Sequence, residues 1–418
     1  MIEKRIRGAL FFLLFISGLI LFQAGKPMAW AGENFLLGMS AAFNGPSKGL
    51  GVELYRGSMA YFAFLNESGG INGHHVNIVP LDDGYQPDPA IENTIKFLED
   101  DDILCLFNYV GTPTVTRILP LLKGYKGHQK LLFFPFTGAE PQRQQPYRSY
   151  VFNLRASYVD ELDGLVNRFL DSGRTRIAVF YQADAYGRSG WDGTRKALAA
   201  RNRFLAGEAT YRRGARFEDS MKRQVDILLR SKPDVVLSIG SYAACAAFIR
   251  DARDMGLDVP IANVSFVGSE NLLVLLEKVG AKSGRDYTKN LVNTQIVPSY
   301  EDLSLPAVRE YREYMDRYAP SPPPLTVESY LPLKYSFTSF EGFLNAKAMA
   351  RILASYEEVP TSGIRWAAEF IRNADLGINA PVNFSPGNHQ GLDKVYFTTV
   401  RDGKFVPLDE GLWQSWRK

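Results

Sequence analysis

The chain has 418 residues, with 46% hydrophobic and 22% charged side chains and a formal charge of +3. That length suits two domains of ordinary size, and that balance excludes disorder, a collagen-like repeat and a multi-span membrane protein. Residues 1–31 hold Lys4, Arg5, Arg7 and Lys26 against Glu3, leaving 44 basic and 44 acidic side chains elsewhere, a neutral body that argues against non-specific nucleic-acid binding.

The first segment reads as an address. Lys4, Arg5 and Arg7 precede an apolar run of 14 residues from Ala9 to Phe22, short for a spanning helix of ~20 residues. Pro27 breaks any continuation, and Ala29-Trp30-Ala31 places small residues at alternate positions. This pattern predicts a secretory signal cleaved after Ala31, the alternative being an uncleaved anchor. No cysteine follows the run to carry a lipid, so the mature chain (about 387 residues) is expected to be soluble and exported.

Short apolar strands then alternate with amphipathic helices, the pattern of βα units on a parallel sheet. Phe35–Ser40 reads as the first strand, followed by the Gly45-Pro46 loop. A helix over Tyr55–Asn66, the turn Gly69–Gly73 and a strand over Val76–Leu81 come next. Asp88-Pro89 reads as a helix start, with Asp88 as cap and Pro89 in the first position. Strands are expected at Ile103–Phe107 and Leu131–Pro135, with a helix between them beginning near Thr112-Pro113. The alternation restarts after Arg155. Ser157 caps a helix to Asp171, then come strand Arg176–Tyr181, a helix near Gly190–Ala200, strand Asp234–Ile239, a helix at Tyr242–Met255 and strand Pro260–Val264. The tail holds a strand at Val292–Val297, a helix at Ala307–Tyr318, a proline-rich connector at Pro320–Pro324 and a long helix over Tyr335–Tyr356. Val395–Val400 and Phe405–Leu408 flank Asp402-Gly403, a hairpin signal.

Catalytic and metal signals are weak. The four histidines (His74, His75, His128 and His389) show no zinc spacing, and no Cys-x-x-Cys pair exists. Gly187–Gly190 lacks the spacing of a nucleophile elbow, Gly280–Ser283 lacks the first glycine of a phosphate loop, and Asp82-Asp83-Gly84 lacks a calcium ligand ladder. Cys105 and Cys245 read as small buried hydrophobes rather than a disulfide pair. The chain is therefore expected to be no enzyme and to need no cofactor and no metal.

Ligands of parallel α/β sheets bind beyond the carboxyl ends of the strands. Four such loops stand out: Phe43–Pro46, Asn108–Thr112, Phe136–Gly138 and Asp184–Gly187. With Thr112 as cap and Pro113 in the first turn, the N–H groups of Thr114 and Val115 are expected to be free for a carboxylate or another electron-rich group.

FNGPSKGLG, NESGGINGHHVNIVPLDDGYQPDPA, VFNLRASYVDE, RIAVFYQADAYGRSG and PDVVLSIGSYAACAAFIRDARDMGL resemble the type I periplasmic solute-binding proteins of the leucine/isoleucine/valine-binding group, the receptors of ABC importers. The resemblance covers nearly all of residues 34–400. It implies an α/β fold of two Rossmann-like lobes joined by three crossovers, near Arg155, Gln295 and Leu376. The lobes would comprise 32–154 with 296–376, and 155–295 with 377–418. A solute would be trapped between them by hinge closure.

The family's ligand contacts map onto Thr112 for the ligand carboxylate, onto Phe136, Thr137 and Gly138 for mainly backbone groups, and onto Tyr186 and Tyr242 (or Ser241) for aromatics of the second lobe. Leu50 stands where amino-acid binders usually place an aromatic. Ser265 stands where they place an acid for the ammonium. Burying an ammonium without an anion is costly, so Ser265 weakens an α-amino-acid reading. Asp184 or Glu270 are the acids that could substitute, each also readable as a turn residue or a helix-start acid. Tyr186, Tyr242, Phe43, Phe136 and Phe266 would line an aromatic cleft. The expected guest is a small organic solute: amino-acid-like, amide- or urea-like, or a carboxylate. The expected partners are that solute and the membrane subunits of an ABC permease, with the receptor a monomer. The alternative is a periplasmic sensor presenting the bound solute to a membrane signalling protein.

Overall fold

The computed structural model describes residues 34–358 and 363–416; the basic start, the apolar run and the cleavage site lie outside them. Among the described residues no helix is long and apolar enough to cross a membrane.

The first unit runs β1 (Phe35–Ala41), α1 (Lys48–Glu67), β2 (Val76–Asp82), α2 (Pro87–Glu99), β3 (Ile103–Phe107), α3 (Thr112–Lys123), β4 (Leu132–Phe133) and β5 (Val151–Phe152). These strands form one parallel sheet in the order β2-β1-β3-β4-β5. The second unit runs α4 (Tyr158–Asp171), β6 (Ile177–Gln182), α5 (Ala185–Ala200), β7 (Gly207–Tyr211), α6 (Lys222–Arg230), β8 (Val235–Ile239), α7 (Tyr242–Asp254), β9 (Ile261–Asn263), α8 (Ser269–Ser283) and β10 (Leu291–Gln295). The chain continues through α9 (Pro306–Tyr318), α10 (Phe337–Glu358), α11 (Gly363–Glu369), the β11 (Ala374–Asp375) and β12 (Pro381–Val382) pair, the β13 (Tyr396–Arg401) and β14 (Lys404–Pro407) hairpin, and α12 (Glu410–Ser415). The second sheet is ordered β14-β13-β10-β9-β8-β6-β7, parallel except where β13 and β14 run back along its edge. These are the two Rossmann-like lobes.

Chemistry at the element ends explains both agreement and difference. Ser157 accepts from the Asp160 N–H at 3.1 Å while the Asp160 carboxylate accepts from the Ser157 N–H at 2.9 Å, a reciprocal capping box that starts α4. Asp402 and Gly403 have φ of 49° and 69°, the left-handed pair that the β13–β14 hairpin requires. α2 begins at Pro87, before the predicted Asp88 cap: Pro87 tolerates the first turn because it has no N–H to leave unpaired, and Asp88 sits in that turn, facing the positive helix end. The predicted strand Leu131–Pro135 keeps only Leu132 and Phe133, because Phe134 turns to a φ of 55° and leaves the pleat. Gly280–Ser283 is the last turn of α8, closed by the left-handed Gly284, and Gly187–Gly190 lies inside α5. The edge strand β7 and the helix α6 carry no expectation from the sequence, and of α8 only the start was read, with Glu270 as a helix-start acid.

The tail returns to the first sheet. α10 packs along α1 so closely that a Cβ at Gly57 would lie 1.7 Å from the Ser339 carbonyl oxygen, and one at Gly342 2.1 Å from that of Leu54. Phe384 then stacks on Phe134, His389 on Phe152, and Arg143 donates to Gln390 at 2.6 Å.

Candidate functional site

In each sheet the parallel strands end towards one seam. From the first sheet come the turn after β1, the Asn108–Gly111 loop after β3 and the Phe134–Ala139 segment after β4; from the second come the loops after β6, β8 and β9. Leu50, Thr112, Phe136, Thr137, Gly138, Tyr186, Tyr242 and Ser265 all lie buried along it.

The first-lobe residues form one connected group. Thr112 Oγ1 is 2.7 Å from Thr137 Oγ1 and 3.5 Å from the Tyr158 hydroxyl. Thr112 is the first residue of α3 and not its cap. Gly111 holds the cap position, with a φ of 107° and a Tyr85 ring carbon 2.2 Å from where a Cβ would stand. Only glycine combines that φ with that approach. The Val115 N–H donates to the Gly111 carbonyl at 3.0 Å, so it is closed within the helix and not free for a ligand. The Gly138 carbonyl accepts from the Tyr158 N–H at 2.7 Å, and its missing side chain leaves room for the Tyr158 ring.

Residues of the second lobe meet this group directly. The Tyr242 hydroxyl accepts from the Gly49 N–H at 3.1 Å, and Ser47 donates to Ser241 at 3.1 Å. Leu50 abuts the Gly268 turn, where a Cβ would lie 2.7 Å from Leu50 Cδ2. Gln182 donates to the Tyr85 hydroxyl at 3.3 Å. The Phe266 ring lies 5.9 Å from Tyr85, 5.3 Å from Phe136 and 4.6 Å from Tyr186, with Tyr186 5.3 Å from Tyr158. Each aromatic pair at such spacing adds about 0.5–1.5 kcal/mol beyond its burial. The lobes are shut: the cavity beside Phe136, Ser265 and Glu341 measures about 10 Å³, room for about one water.

Charge inside the seam comes from residues that the sequence reading does not single out. The buried Arg155, on the passage from β5 to α4, donates through Nη2 to Ser265 Oγ and stacks its guanidinium 4.7 Å from the Phe136 ring centre. Its Nη2 is 3.6 Å from Glu161 of α4, and its Nη1 is 3.5 Å from Glu341 of α10. The Glu161 carboxylate also accepts from the Ser265 N–H at 2.7 Å, from Ser265 Oγ at 2.9 Å and from Thr294. Burial pushes the Glu341 carboxyl up to about 7 against the pull of Arg155. One signal for Arg155 was present: it is the lone charge between the apolar strand β5 and the Ser157 cap.

The two acids weighed as substitutes have other surroundings. Asp184 caps α5, accepting from the Tyr186 N–H at 2.9 Å, and pairs with Arg213 at 3.1 Å. Glu270 is buried in the first turn of α8 near the Tyr300 hydroxyl, and burial raises its carboxyl to about 7. Cys105 and Cys245 are both buried free thiols. Among the described residues no group of three or more His, Cys, Asp or Glu side chains is placed to hold a metal ion.

Comparison with known proteins agrees with this geometry. The family model described as periplasmic binding protein matches residues 36–404. An amino acid binding protein of Pseudomonas aeruginosa is 22% identical over 262 residues, 62% of this chain and 66% of that protein, so the match spans just under two thirds of the relative. A Leu/Ile/Val-binding protein homolog of Brucella suis is 24% identical over 66% of this chain and 72% of its own. The crystal structure of a possible leucine/isoleucine/valine-binding protein from Rhodopirellula baltica superposes with a TM-score of 0.81 and 29% identity, covering 93% of this chain and 99% of that one. The family and these relatives are binding proteins rather than enzymes. Two parallel sheets whose strand ends face one seam, the tail threading back to both, and a family match over nearly the whole described chain lead to one assignment: the chain belongs to the periplasmic binding protein family, as a type I member of its leucine/isoleucine/valine-binding group.

Proposed function

We propose that the protein is the periplasmic solute receptor of an ABC importer, which traps a small organic molecule between its lobes and releases it unchanged to the permease. The observation that carries this reading is the meeting of six strand-end loops, three from each sheet, in one buried seam. Such a seam is where α/β sheets bind ligands, and differential affinity for its closed form is the whole mechanism of a two-lobed receptor. The basic, apolar and small-residue order of residues 1–31 supports export through a cleaved signal.

The hinge would consist of the passages near Arg155 and Gln295 and a third in the tail. We place the third beyond Gln390 rather than near Leu376, since Phe384 and His389 still pack on the first sheet. The guest is a small polar or ring-bearing solute and not a simple branched-chain amino acid. An ammonium brought to Ser265 would meet the Arg155 guanidinium together with a Glu161 carboxylate already committed to Ser265 and Thr294, which weighs against that guest.

Native mass spectrometry of the protein purified from its producing cells, followed by X-ray scattering with and without the retained solute, tests this function. The expected result is one solute of unchanged mass and a more compact particle when it is bound. Conversion of the solute to a product, or identical scattering curves in both states, overturns it.

A further inference from the structure

Most polar groups of the seam are already committed. Glu161 accepts from the Ser265 N–H, from Ser265 Oγ and from Thr294, and Ser265 Oγ both donates to Glu161 and accepts from Arg155. Thr112 and Thr137 hold each other. Arg155 is one that is not. Its Nε and Nη1 are buried and have no hydrogen-bond partner. Glu341 approaches Nη1 at 3.5 Å, close enough for charge attraction but too far for a good hydrogen bond. Buried donors without acceptors call for an explanation, and an absent guest is one. The guanidinium carbon lies 4.7 Å from the Phe136 ring centre and 5.9 Å from that of Tyr158, with Tyr186 and Phe266 next to them, so once the lobes part a planar molecule could present an oxygen pair to Arg155 with its ring among these aromatics.

We propose that the guest is an aromatic carboxylate whose carboxylate is received by Arg155 and whose ring takes a place among Phe136, Tyr158, Tyr186 and Phe266. This rests on the receptor reading above. Ring and head are read by different groups: the aromatic walls select a flat apolar body, and Arg155 selects the acceptor pair.

The charge balance then gives a second consequence. Glu341 is faced by Arg155 from the β5–α4 passage, by Glu161 from α4 and by Arg143 from the short turn Pro141–Arg143. With the Glu161 carboxylate already fixed by its hydrogen bonds, a guest carboxylate would be a third acidic group beside Arg155. Glu341 is the group able to give way by holding its proton, since burial places its carboxyl near 7. Binding the anion therefore takes up one proton, and affinity falls about tenfold per pH unit above about pH 7.

Calorimetric titration of the purified, ligand-free protein with benzoate, benzamide and L-leucine between about pH 6 and pH 8 tests the proposal, with circular dichroism melts as a folding control. Benzoate is expected to bind with that pH slope, benzamide more weakly and without the slope, and leucine to give no heat. Glu341→Gln is expected to keep benzoate binding and lose the slope. Arg155→Met is expected to abolish binding; should it not fold, the Glu341→Gln slope decides. A flat benzoate profile in the parent protein, or benzamide binding tighter than benzoate, overturns the proposal. If benzoate gives no heat while another retained solute compacts the particle, the aromatic carboxylate fails and the receptor stands; if nothing compacts it, the receptor reading falls as well.

Discussion

Replacing Tyr242 by Phe removes one oxygen atom and tests whether closure of the lobes is part of binding. The Tyr242 hydroxyl accepts the Gly49 N–H at 3.1 Å, and burial raises that hydroxyl to about 12, so it is neutral throughout the physiological range. Gly49 is the second residue of α1, within the first turn, whose N–H groups have no partner inside the helix. In the shut seam Tyr242 is therefore the acceptor that satisfies a helix-end donor. Without it the N–H is left buried and unpaired, at about 1–3 kcal/mol. In an open form both groups face water and the substitution costs next to nothing. The penalty thus falls on the closed state alone, and at about 1–2 kcal/mol it raises the dissociation constant roughly 5- to 30-fold. The ring and its packing are retained, so an open, ligand-free protein should melt within about 1 °C of the parent. Calorimetric titration of the retained solute, paired with thermal melts of the ligand-free protein, reads both quantities. An unchanged dissociation constant would show that this contact is not made when the solute is bound, and the closure argument would fail with it.

Two further outcomes bear on the scaffold. Gly57→Ala should destabilise by about 1–3 kcal/mol or more in urea titration although alanine favours a helix by about 1 kcal/mol, because its Cβ would stand 1.7 Å from the Ser339 carbonyl oxygen and force α1 from α10. Burial raises Asp83, Glu270 and Glu341 each to about 7, above the unfolded carboxylate range near 4. Between those values the folded state holds more protons than the unfolded chain, so stability falls as pH rises through that window and levels off above it. Thermal melts should show a higher midpoint near pH 5.5 than near pH 8, and a midpoint that rises with pH would contradict the burial of these groups.

Strands β1, β3 and β8 were readable because a buried parallel strand is a near-continuous apolar run, and that signal is local. The start of α4 and the β13–β14 turn were readable for the same reason: Ser157 with Asp160, and Asp402 with Gly403, fix the backbone through neighbours in the chain. β7 escaped because an edge strand is half wet. Gly207–Tyr211 alternates exposed and buried residues from Glu208 onward and has no apolar run to announce it. β4 was overestimated because the left-handed turn at Phe134 is imposed by the segment it joins, and nothing in the side chain advertises a φ that a bulky residue rarely adopts.

The seam divides along the same line. Its walls were foreseen, since the rule that ligands meet the carboxyl ends of strands needs only the order of strands and loops. Its charge was not. Serine at 265 shows that no acid is built in at that point, but whether the surroundings are neutral, acidic or basic depends on what other elements bring there. Glu161 comes from the first turn of α4, where an acid reads simply as complementing the helix dipole. Glu341 comes from α10, after the chain has passed through the parallel strands of the second sheet, and its neighbours in sequence are mostly apolar or small. Arg155 reads as a linker residue until both acids stand around it. A buried charge takes its sign and its strength from partners fixed by the fold, because in a low-dielectric seam one missing or added partner outweighs the residue's own preference. Residue 265 alone therefore weakens one class of guest, and the proposal of another rests on the triad of Arg155, Glu161 and Glu341.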